Sequence, residues 1–352
     1  MLFTVHDENT ISPTREPSLT ILTPDPNDTN PNIPVYLPHN LTVQEFLSLF
    51  PNPNDPSSKP AFTFPALSSW YSNLLNNLSL QNYARHPFHK RPYKLRQLDV
   101  QAVDWFWRDK PDKEDKLGFM KVQAKIETDP YIHDGEDKER ADWLPGAVFL
   151  RGGSVGVLII LQPADATGSQ EKQVLFTLQP RIAASSLSFT EIPAGMLDGS
   201  TLTGSAAAEL KEEAGLVVKE ADLLNMSELV ASLDEDEDEN ARKKKLGYSE
   251  SRERVQNAVY PSPGATDEFI PLFLCQKRLT RSHMRWLKGK ATGLRNEGEN
   301  IVLKLVPLER AWREGARDGK ALAALALYEG LVREGKVPAM PEEVEDEPEE
   351  RA

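Results

Sequence analysis

Hydrophobic and polar residues alternate along parts of the chain with the two-residue period of a half-buried strand. Residues 98–109 (LDVQAVDWFWRD) and 117–127 (LGFMKVQAKIE) show this alternation on either side of a charged turn, which predicts a β-hairpin. A run at 227–233 (SELVASL) is interpreted as another strand. Nearly continuous apolar segments predict four more deeply buried strands, at 152–163, 172–181, 268–277 and 300–308.

Apolar residues with helical spacing lie at 41–50, 70–80 and 319–335. A further segment, SAAAELKEEA, has high helix propensity, with Thr203 as the expected N-cap and Gly215 as the left-handed residue that ends the helix. Strands mixed with a few helices predict an α+β fold in which a mixed sheet is layered between helices.

Changes in composition divide the chain into four parts. Residues 1–65 are rich in Pro and Asn, and we expect a largely irregular segment. Residues 66–144 predict a small domain with a helix and a β-hairpin. Residues 145–337 predict the main layered domain, interrupted by a charged insert at 234–258. Residues 338–352 are expected to form an acidic disordered tail.

The charge of the chain excludes some classes of partner. Its 352 residues carry a net charge of −13, which argues against binding to nucleic acids or acidic membranes. A single cysteine, Cys275, excludes an intramolecular disulfide and a cysteine-based zinc site. The first ten residues resemble neither a signal nor a transit peptide, and no window has the 18 apolar residues of a membrane helix. We therefore expect a cytoplasmic protein.

Three carboxylates crowd the end of the helix in SAAAELKEEA: Glu209, Glu212 and Glu213. Like charges at these spacings cost about 0.2–0.5 kcal/mol per pair, and each carboxylate also opposes the helix dipole by about 0.3–1 kcal/mol. Two interpretations account for them. One is a solvated acidic face that Lys211 partly compensates, and the other is a site for a divalent cation.

The surroundings of these glutamates resemble the Nudix box, G-x5-E-x7-R-E-U-x-E-E-x-G-U, where U is aliphatic. Gly195 opens the box, and residues 209–216 (ELKEEAGL) fill its second half. The resemblance covers about residues 95–337. The preceding segment, LQPRIAASSLSFTEIPAG, and the later segments PSPGATDE and GKATGLRNEGEN are similar to ADP-ribose and ADP-sugar diphosphatases, above all to the plant-type enzymes. The resemblance implies the Nudix α/β/α sandwich with a mixed sheet.

The resemblance also implies a metal site and a reaction. Glu209 and Glu213 would be the main ligands of Mg²⁺, with Mn²⁺ as the alternative, and Glu212 and the carbonyl of Ala194 would complete the shell. Water would cleave the pyrophosphate of a nucleoside diphosphate sugar, such as ADP-ribose or ADP-glucose, into a nucleoside monophosphate and a sugar 1-phosphate. Glu268, in the GATDE loop, would be the general base, and Glu212 is a second catalytic candidate.

Four more residues are candidates for binding the nucleotide sugar: Arg181, Arg151, Trp105 and Glu299. Arg181 aligns with a substrate arginine of this subgroup, and its planar fork matches phosphate oxygens. Arg151 and Glu299 are equally compatible with structural roles. Trp105 could stack on an adenine across a homodimer interface, because the N-terminal strands pair two subunits in this subgroup, or it could pack in the core.

The box departs from the pattern in its spacing and at two positions. Twelve residues, 196–207, separate Gly195 from Ala208, where the pattern has thirteen between its Gly and its Arg. Ala208 stands at the Arg position, and Thr201 stands at the position of the earlier Glu unless Asp198 substitutes for it. In the family the Arg braces the catalytic carboxylates. Loss of such a supporting residue often lowers metal affinity or activity by about 10–100-fold. A non-catalytic nucleotide-sugar sensor is therefore the second hypothesis. A third is a scaffold whose function lies in the N-terminal segment and the acidic runs.

Overall fold

The computed structural model describes residues 17–22, 32–49, 64–112, 115–132, 138–168, 171–197, 201–233, 253, 255–293 and 300–346. The chain divides into two compact units. The first lies within Met1–Arg151 and also takes described residues of Glu250–Arg254 and Gly264–Asp267. The second takes the described residues of Gly152–Ser249, Val255–Pro263 and Glu268–Ala352. The division falls a few residues beyond the boundary expected at 144.

The first unit is built on a mixed sheet with the strand order β1-β2-β3-β4-β7, in which β8 also pairs with β4. The long strands β3 and β4 are antiparallel, which confirms the predicted hairpin, whereas β2 runs parallel to β3. A separate pair, β5 and β6, is antiparallel. The strands are β1 (Leu19–Leu22), β2 (Asn32–Tyr36), β3 (Lys94–Trp107), β4 (Lys116–Glu127), β5 (Tyr131–Ile132), β6 (Glu139–Arg140), β7 (Trp143–Leu144) and β8 (Ala147–Leu150).

The expectation of a largely irregular segment over residues 1–65 is wrong for its described part. Besides β1 and β2, this part forms helix α1 (Val43–Ser48), and helix α2 (Pro65–Ser79) follows. Ile33 and Val35 alternate into the core of the first unit, and Phe46 of α1 joins them there. The described part of this segment therefore forms short elements, of which β2 and α1 are anchored by buried side chains.

The second unit is built on a nine-stranded mixed sheet with the order β13-β14-β9-β10-β16-β15. Its edges are extended by β11 on β10, β12 on β9 and β17 on β14. Strand β14 is parallel to β9, and β10 is antiparallel to it. The strands are β9 (Ser154–Pro163), β10 (Gln173–Arg181), β11 (Ser186–Glu191), β12 (Ala194–Met196), β13 (Leu223–Asn225), β14 (Leu272–Leu279), β15 (Ala291–Thr292), β16 (Ile301–Pro307) and β17 (Val344–Glu345).

Helices cover both faces of this sheet, which confirms the predicted α+β class and its α/β/α layering. Every residue of the central strand β9 is buried, and successive residues face opposite cores. One core contains residues of α3 and α5, and the other contains residues of α4, α6 and α7. The helices are α3 (Leu202–Glu213), α4 (Met226–Leu233), α5 (Arg281–Leu287), α6 (Leu308–Glu314) and α7 (Gly319–Arg333).

Helix α4 corrects the strand predicted at 227–233. Its apolar residues Met226, Leu229 and Val230 have the i, i+3, i+4 spacing of one helix face, and they pack on the core shared with α7. The side chain of Asn225 accepts a hydrogen bond from the backbone N–H of Glu228 at 3.1 Å, which satisfies a donor of the first turn.

The acidic tail expected from residue 338 also needs correction. Residues 338–346 are described, and β17 runs parallel to β14. The buried Lys277 forms an ion pair with Glu345, so the tail supplies the counter-charge for a lysine of the sheet. Of the charged insert, residues 234–252 and 254 lie outside the described residues.

Within the described part of the chain, none of the helices has both the length and the apolar character needed to cross a bilayer.

Candidate active site

Helix α3 and the turn before it form the centre of the site. The helix starts at Leu202, because the Oγ1 atom of Thr201, rather than the expected Thr203, accepts the N–H of Gly204 at 3.0 Å. At its other end Gly215 adopts a left-handed conformation with φ of 67°, as its residue type predicted. These two residues set the length of the helix that carries the three glutamates.

Glu213 is the buried member of the three, with 5% of its surface exposed. Its Oε1 accepts from Nε2 of Gln179 at 3.1 Å, and its Oε2 accepts from the backbone N–H of Ala194 at 3.1 Å. Burial raises the pKa of the Glu213 carboxyl to about 7, and these two hydrogen bonds oppose the rise. The negative charge of Glu191 adds to the rise, whereas Arg181 opposes it. The protein thus holds a carboxylate where its ionised form is disfavoured.

Glu209 lies one turn earlier on the same side of α3, and its carboxylate rests directly on Gly195. A β-carbon at residue 195 would fall 1.4 Å from Oε1 of Glu209, so the absence of a side chain makes this approach possible. Glu212 and Ala208 are both exposed on α3. The helix therefore turns two of its three glutamates toward the strand that begins at Ala194.

The carbonyl of Ala194 lies on the edge of its strand that also meets Glu213. The carbonyl of Pro193 accepts the N–H of Val157, so Pro193 faces strand β9. Neighbouring residues of a strand direct their carbonyls to opposite edges, so the carbonyl of Ala194 faces away from β9. The N–H of Ala194 donates to Glu213, which is consistent with this direction.

This donor set fits a divalent cation held in an open site. Among the described residues, no three His, Cys, Asp or Glu side chains come together in a way that would enclose a metal. Mg²⁺ usually keeps several waters and takes only one or two protein carboxylates. Glu209, Glu213 and the carbonyl of Ala194 supply hard oxygen donors of that kind, and a cation beside Glu213 would offset the cost of burying its charge.

Glu268 is brought to the start of β9 by a serine. The hydroxyl of Ser154 donates to Oε1 of Glu268 at 3.1 Å, and Ser154 is 4% exposed. Ser154 pairs with Met196, the residue that follows Gly195 on β12. Glu268 therefore lies at the same end of the β9–β12 pair as the glutamates of α3, although it is at least 55 positions away from them in the sequence.

Arg181 stands at the end of β10, and a buried carboxylate fixes its guanidinium. Its Nε donates to Oε1 of Glu191 at 2.6 Å, and the Arg181 side chain is 42% exposed. The two terminal nitrogens of Arg181 make no hydrogen bond to the described residues. Glu191 is itself held by Lys320, whose Nζ lies 2.8 Å from Oε2 of Glu191.

Lys320 and Asp318 complete this buried group of charges. The Nζ of Lys320 also lies 3.0 Å from Oδ1 of Asp318, and Oδ2 of Asp318 accepts the N–H of Ile192 at 3.1 Å. Burial is the largest influence on the pKa of Lys320 and would lower it, but Glu191 and Asp318 together hold it above its usual value.

Sequence reasoning missed Gln179, Glu191, Asp318 and Lys320. The period of the strand places Gln179 on the same face as Arg181, which is a usable signal. Glu191 comes immediately before the IPAG turn, a second signal. Nothing local marks Asp318 and Lys320, because they reach the site from a helix more than 120 residues away in sequence.

The remaining candidates are placed elsewhere or not described. In the first unit, the backbone N–H of Arg151 donates to Oδ1 of Asp267 at 2.8 Å. Trp105, also in the first unit, is partly buried against its core, with the guanidinium of Arg108 at 4.8 Å from the ring centroid. Glu299 lies outside the described residues.

Comparison with known proteins gives one informative relative. No model of a protein family matches the chain. A curated protein of Arabidopsis thaliana, "Nudix hydrolase 14, chloroplastic", is 33% identical over 272 residues, which cover 77% of this chain and 73% of the relative. A solved structure titled "Crystal structure of ADP compounds hydrolase" matches with 14% identity and a TM-score of 0.33, covering 69% of this chain and 99% of its own.

Proposed function

The chain belongs to the Nudix hydrolase family, and on that basis we propose that it hydrolyses the pyrophosphate bond of a nucleoside diphosphate sugar with the help of Mg²⁺ or Mn²⁺. The observation that carries this proposal is the arrangement of α3 against Ala194 and Gly195. Two carboxylates meet the backbone there: Glu209 lies against Gly195, and the buried Glu213 accepts the N–H of Ala194. A purely solvated acidic face would leave all three glutamates of the helix in water.

In this proposal Glu209, Glu213 and the carbonyl of Ala194 hold the cation. When bound, the cation neutralises phosphate oxygens and makes water a better nucleophile. Gln179 fixes the Glu213 carboxylate by a hydrogen bond within the protein interior. Glu212 is exposed, and its part in the metal shell or in catalysis stays a prediction.

Arg181 is proposed to bind the diphosphate. Because Glu191 occupies its Nε, the two terminal nitrogens are left to reach phosphate oxygens as a planar pair of donors. Arg181 is also partly exposed, as a residue that meets a ligand from solvent must be.

Glu268 is proposed as the general base that takes a proton from the attacking water. The hydrogen bond from Ser154 orients this carboxylate, and a positioned carboxylate is a suitable acceptor for a proton in the transition state. Arg151, Glu299 and Trp105 stay predictions for substrate binding.

The substrates proposed are ADP-ribose and ADP-glucose, on the strength of the similarity of the segments around Arg181 and Glu268 to ADP-sugar diphosphatases. Cleavage of ADP-glucose would give AMP and glucose 1-phosphate. Cleavage of ADP-ribose would give AMP and ribose 5-phosphate rather than the expected sugar 1-phosphate, because its diphosphate is attached to C5 of the terminal ribose. We further propose a homodimer in a cytoplasmic setting. The partly exposed Phe106 and Phe149 of the first unit, each in contact with Phe119, support a contact surface.

The direct test is to incubate the protein with ADP-ribose, ADP-glucose, UDP-glucose or NADH, with Mg²⁺, Mn²⁺ or EDTA, and to quantify the nucleotide released. We expect metal-dependent AMP release from an ADP-sugar that is lost in Glu213→Gln. The oligomeric state is tested on the same preparation by sedimentation, where a monomer would contradict the dimer.

The alternative function is a sensor that binds nucleotide sugars without cleaving them. It is favoured by Ala208, which leaves the box without its arginine and is exposed on α3. Binding of ADP-ribose by calorimetry, together with an absence of turnover under every metal condition, would support the sensor. In that case Ala208→Arg is the next variant to assay.

A further inference from the structure

A line of four alternating charges runs through the second unit, from the end of β10 to the start of α7. Arg181 contacts Glu191, Glu191 contacts Lys320, and Lys320 contacts Asp318, at N–O distances of 2.6, 2.8 and 3.0 Å. The exposed fraction of the side chains falls to 3% for Glu191 and 4% for Asp318. Only Arg181, at the end of the line, is substantially exposed.

Glu191 shares its two oxygens between two cations, one on each. A buried carboxylate that met Arg181 alone would cancel most of the field that the arginine offers to a phosphate. Lys320 supplies a second positive charge within hydrogen-bonding distance of the same carboxylate. The lysine therefore offsets part of the charge of Glu191, and Arg181 is held in position without losing its attraction for a phosphate.

Asp318 connects the same helix end to the turn that carries Ala194. Its Oδ1 accepts from Lys320, and its Oδ2 accepts the backbone N–H of Ile192, two residues before Ala194. The start of α7 therefore contacts both Glu191, which holds Arg181, and the backbone that leads to Gly195.

We propose that Lys320 and Asp318 are positioning residues that set the substrate affinity of this enzyme. Lys320 offsets the negative charge of Glu191, so that Arg181 keeps its orientation and its attraction for the diphosphate. Asp318 holds Lys320 and the backbone of Ile192. This inference rests on the proposed function, in which Arg181 binds the diphosphate.

The test compares Lys320→Met with the double variant Lys320→Met/Glu191→Gln. In the single variant Glu191 faces Arg181 without its second cation, so we expect the KM for ADP-ribose to rise about tenfold while kcat changes much less. In the double variant the uncompensated negative charge is gone, and the amide oxygen of the introduced glutamine can still accept from Arg181. We therefore expect the KM to return to within about threefold of the original value.

Two further variants separate this role from a general loss of structure. Lys320→Arg keeps the charge and should stay close to the original KM. Lys304→Met removes a lysine of the same unit that is paired with Glu314, outside the line of charges, and should leave the KM unchanged. Unfolding midpoints of all variants are measured alongside.

The outcomes distinguish the inference from the proposed function. If the original protein hydrolyses ADP-ribose but Lys320→Met leaves KM unchanged, or the double variant fails to recover, the inference is overturned and the function stands. If the original protein binds ADP-ribose without hydrolysis, the function fails, and the same comparison is made on the dissociation constant. If it neither binds nor hydrolyses, both are overturned.

Discussion

The carboxylate of Glu209 occupies the space that a side chain at Gly195 would need, with Oε1 of Glu209 only 1.4 Å from the position of a β-carbon there. The glycine that opens the box is thus explained by contact rather than by backbone conformation. A residue with a side chain at this position would have to displace the carboxylate, the strand or the helix.

We expect Gly195→Ala to displace Glu209 and to lower kcat/KM by about 10- to 100-fold, as changes in the support of metal ligands commonly do. The metal concentration for half-maximal activity should rise in parallel. The matched control is Gly330→Ala in α7, where the nearest atom to an added β-carbon is 3.9 Å away. That change should leave activity intact and add about 0.5–1 kcal/mol of stability, because alanine favours the helix. Equal activity in both variants would contradict the assigned contact.

The stability of the metal-free protein should depend on pH through Glu213. Its folded-state pKa of about 7 lies above the usual 4.5, so the folded state prefers the protonated form. Stability from this group is therefore fully present below pH 4.5 and is lost as the pH rises toward 7 and beyond, by about 3 kcal/mol in total. The measurement is urea unfolding in EDTA between pH 5 and pH 8, with Glu213→Gln beside it.

Glu213→Gln should flatten the pH dependence, so the difference between the two proteins isolates this group. Added Mg²⁺ should stabilise the original protein at pH 8, because a cation favours the ionised carboxylate, and it should stabilise the variant far less. Identical pH profiles with and without the substitution would show that Glu213 does not carry the effect.

Replacement of Arg181 should affect substrate affinity. For Arg181→Met we expect KM for ADP-ribose to rise about 10- to 100-fold, since hydrogen bonds to charged groups contribute about 1.5–3 kcal/mol. Arg181→Lys keeps the charge but loses the planar fork, so its KM should lie between those of the original protein and Arg181→Met. Arg310→Met, at an exposed position of α6, is the control. The KM values are measured by steady-state kinetics. An unchanged KM in Arg181→Met would show that Arg181 does not bind the substrate.

Glu268 and Ser154 should show graded effects on turnover. Glu268→Gln removes the proposed base and should lower kcat by about 10²- to 10⁴-fold. Ser154→Ala removes one hydrogen bond to that carboxylate, worth about 1 kcal/mol, and should lower kcat by about fivefold. Ser232→Ala, on the exposed side of α4, should have no effect. A Glu268→Gln variant that keeps full activity would show that Glu268 is not the general base.

Much of the candidate site could be predicted from the sequence because its signals are local. Gly195, Glu209 and Glu213 are recognised by their spacing, and helix geometry alone places the two glutamates one turn apart on one side. The alternating residues of 98–109 and 117–127 predicted the β3–β4 hairpin for the same reason. Gln179 was overlooked although its offset of two from Arg181 puts both on one face of a strand.

Tertiary structure alone decided which of the three glutamates is buried and what compensates its charge. The sequence does not tell which of Glu209, Glu212 and Glu213 is buried, whereas the fold buries Glu213 against Gln179 and leaves Glu212 in solvent. Glu191 and Lys320 are 129 positions apart in the sequence, so no local pattern could predict their ion pair. Burial and charge compensation depend on groups that meet only when distant elements pack. The sequence therefore determined the family motif and the alternation of the strands. The fold determined which charges the site must balance.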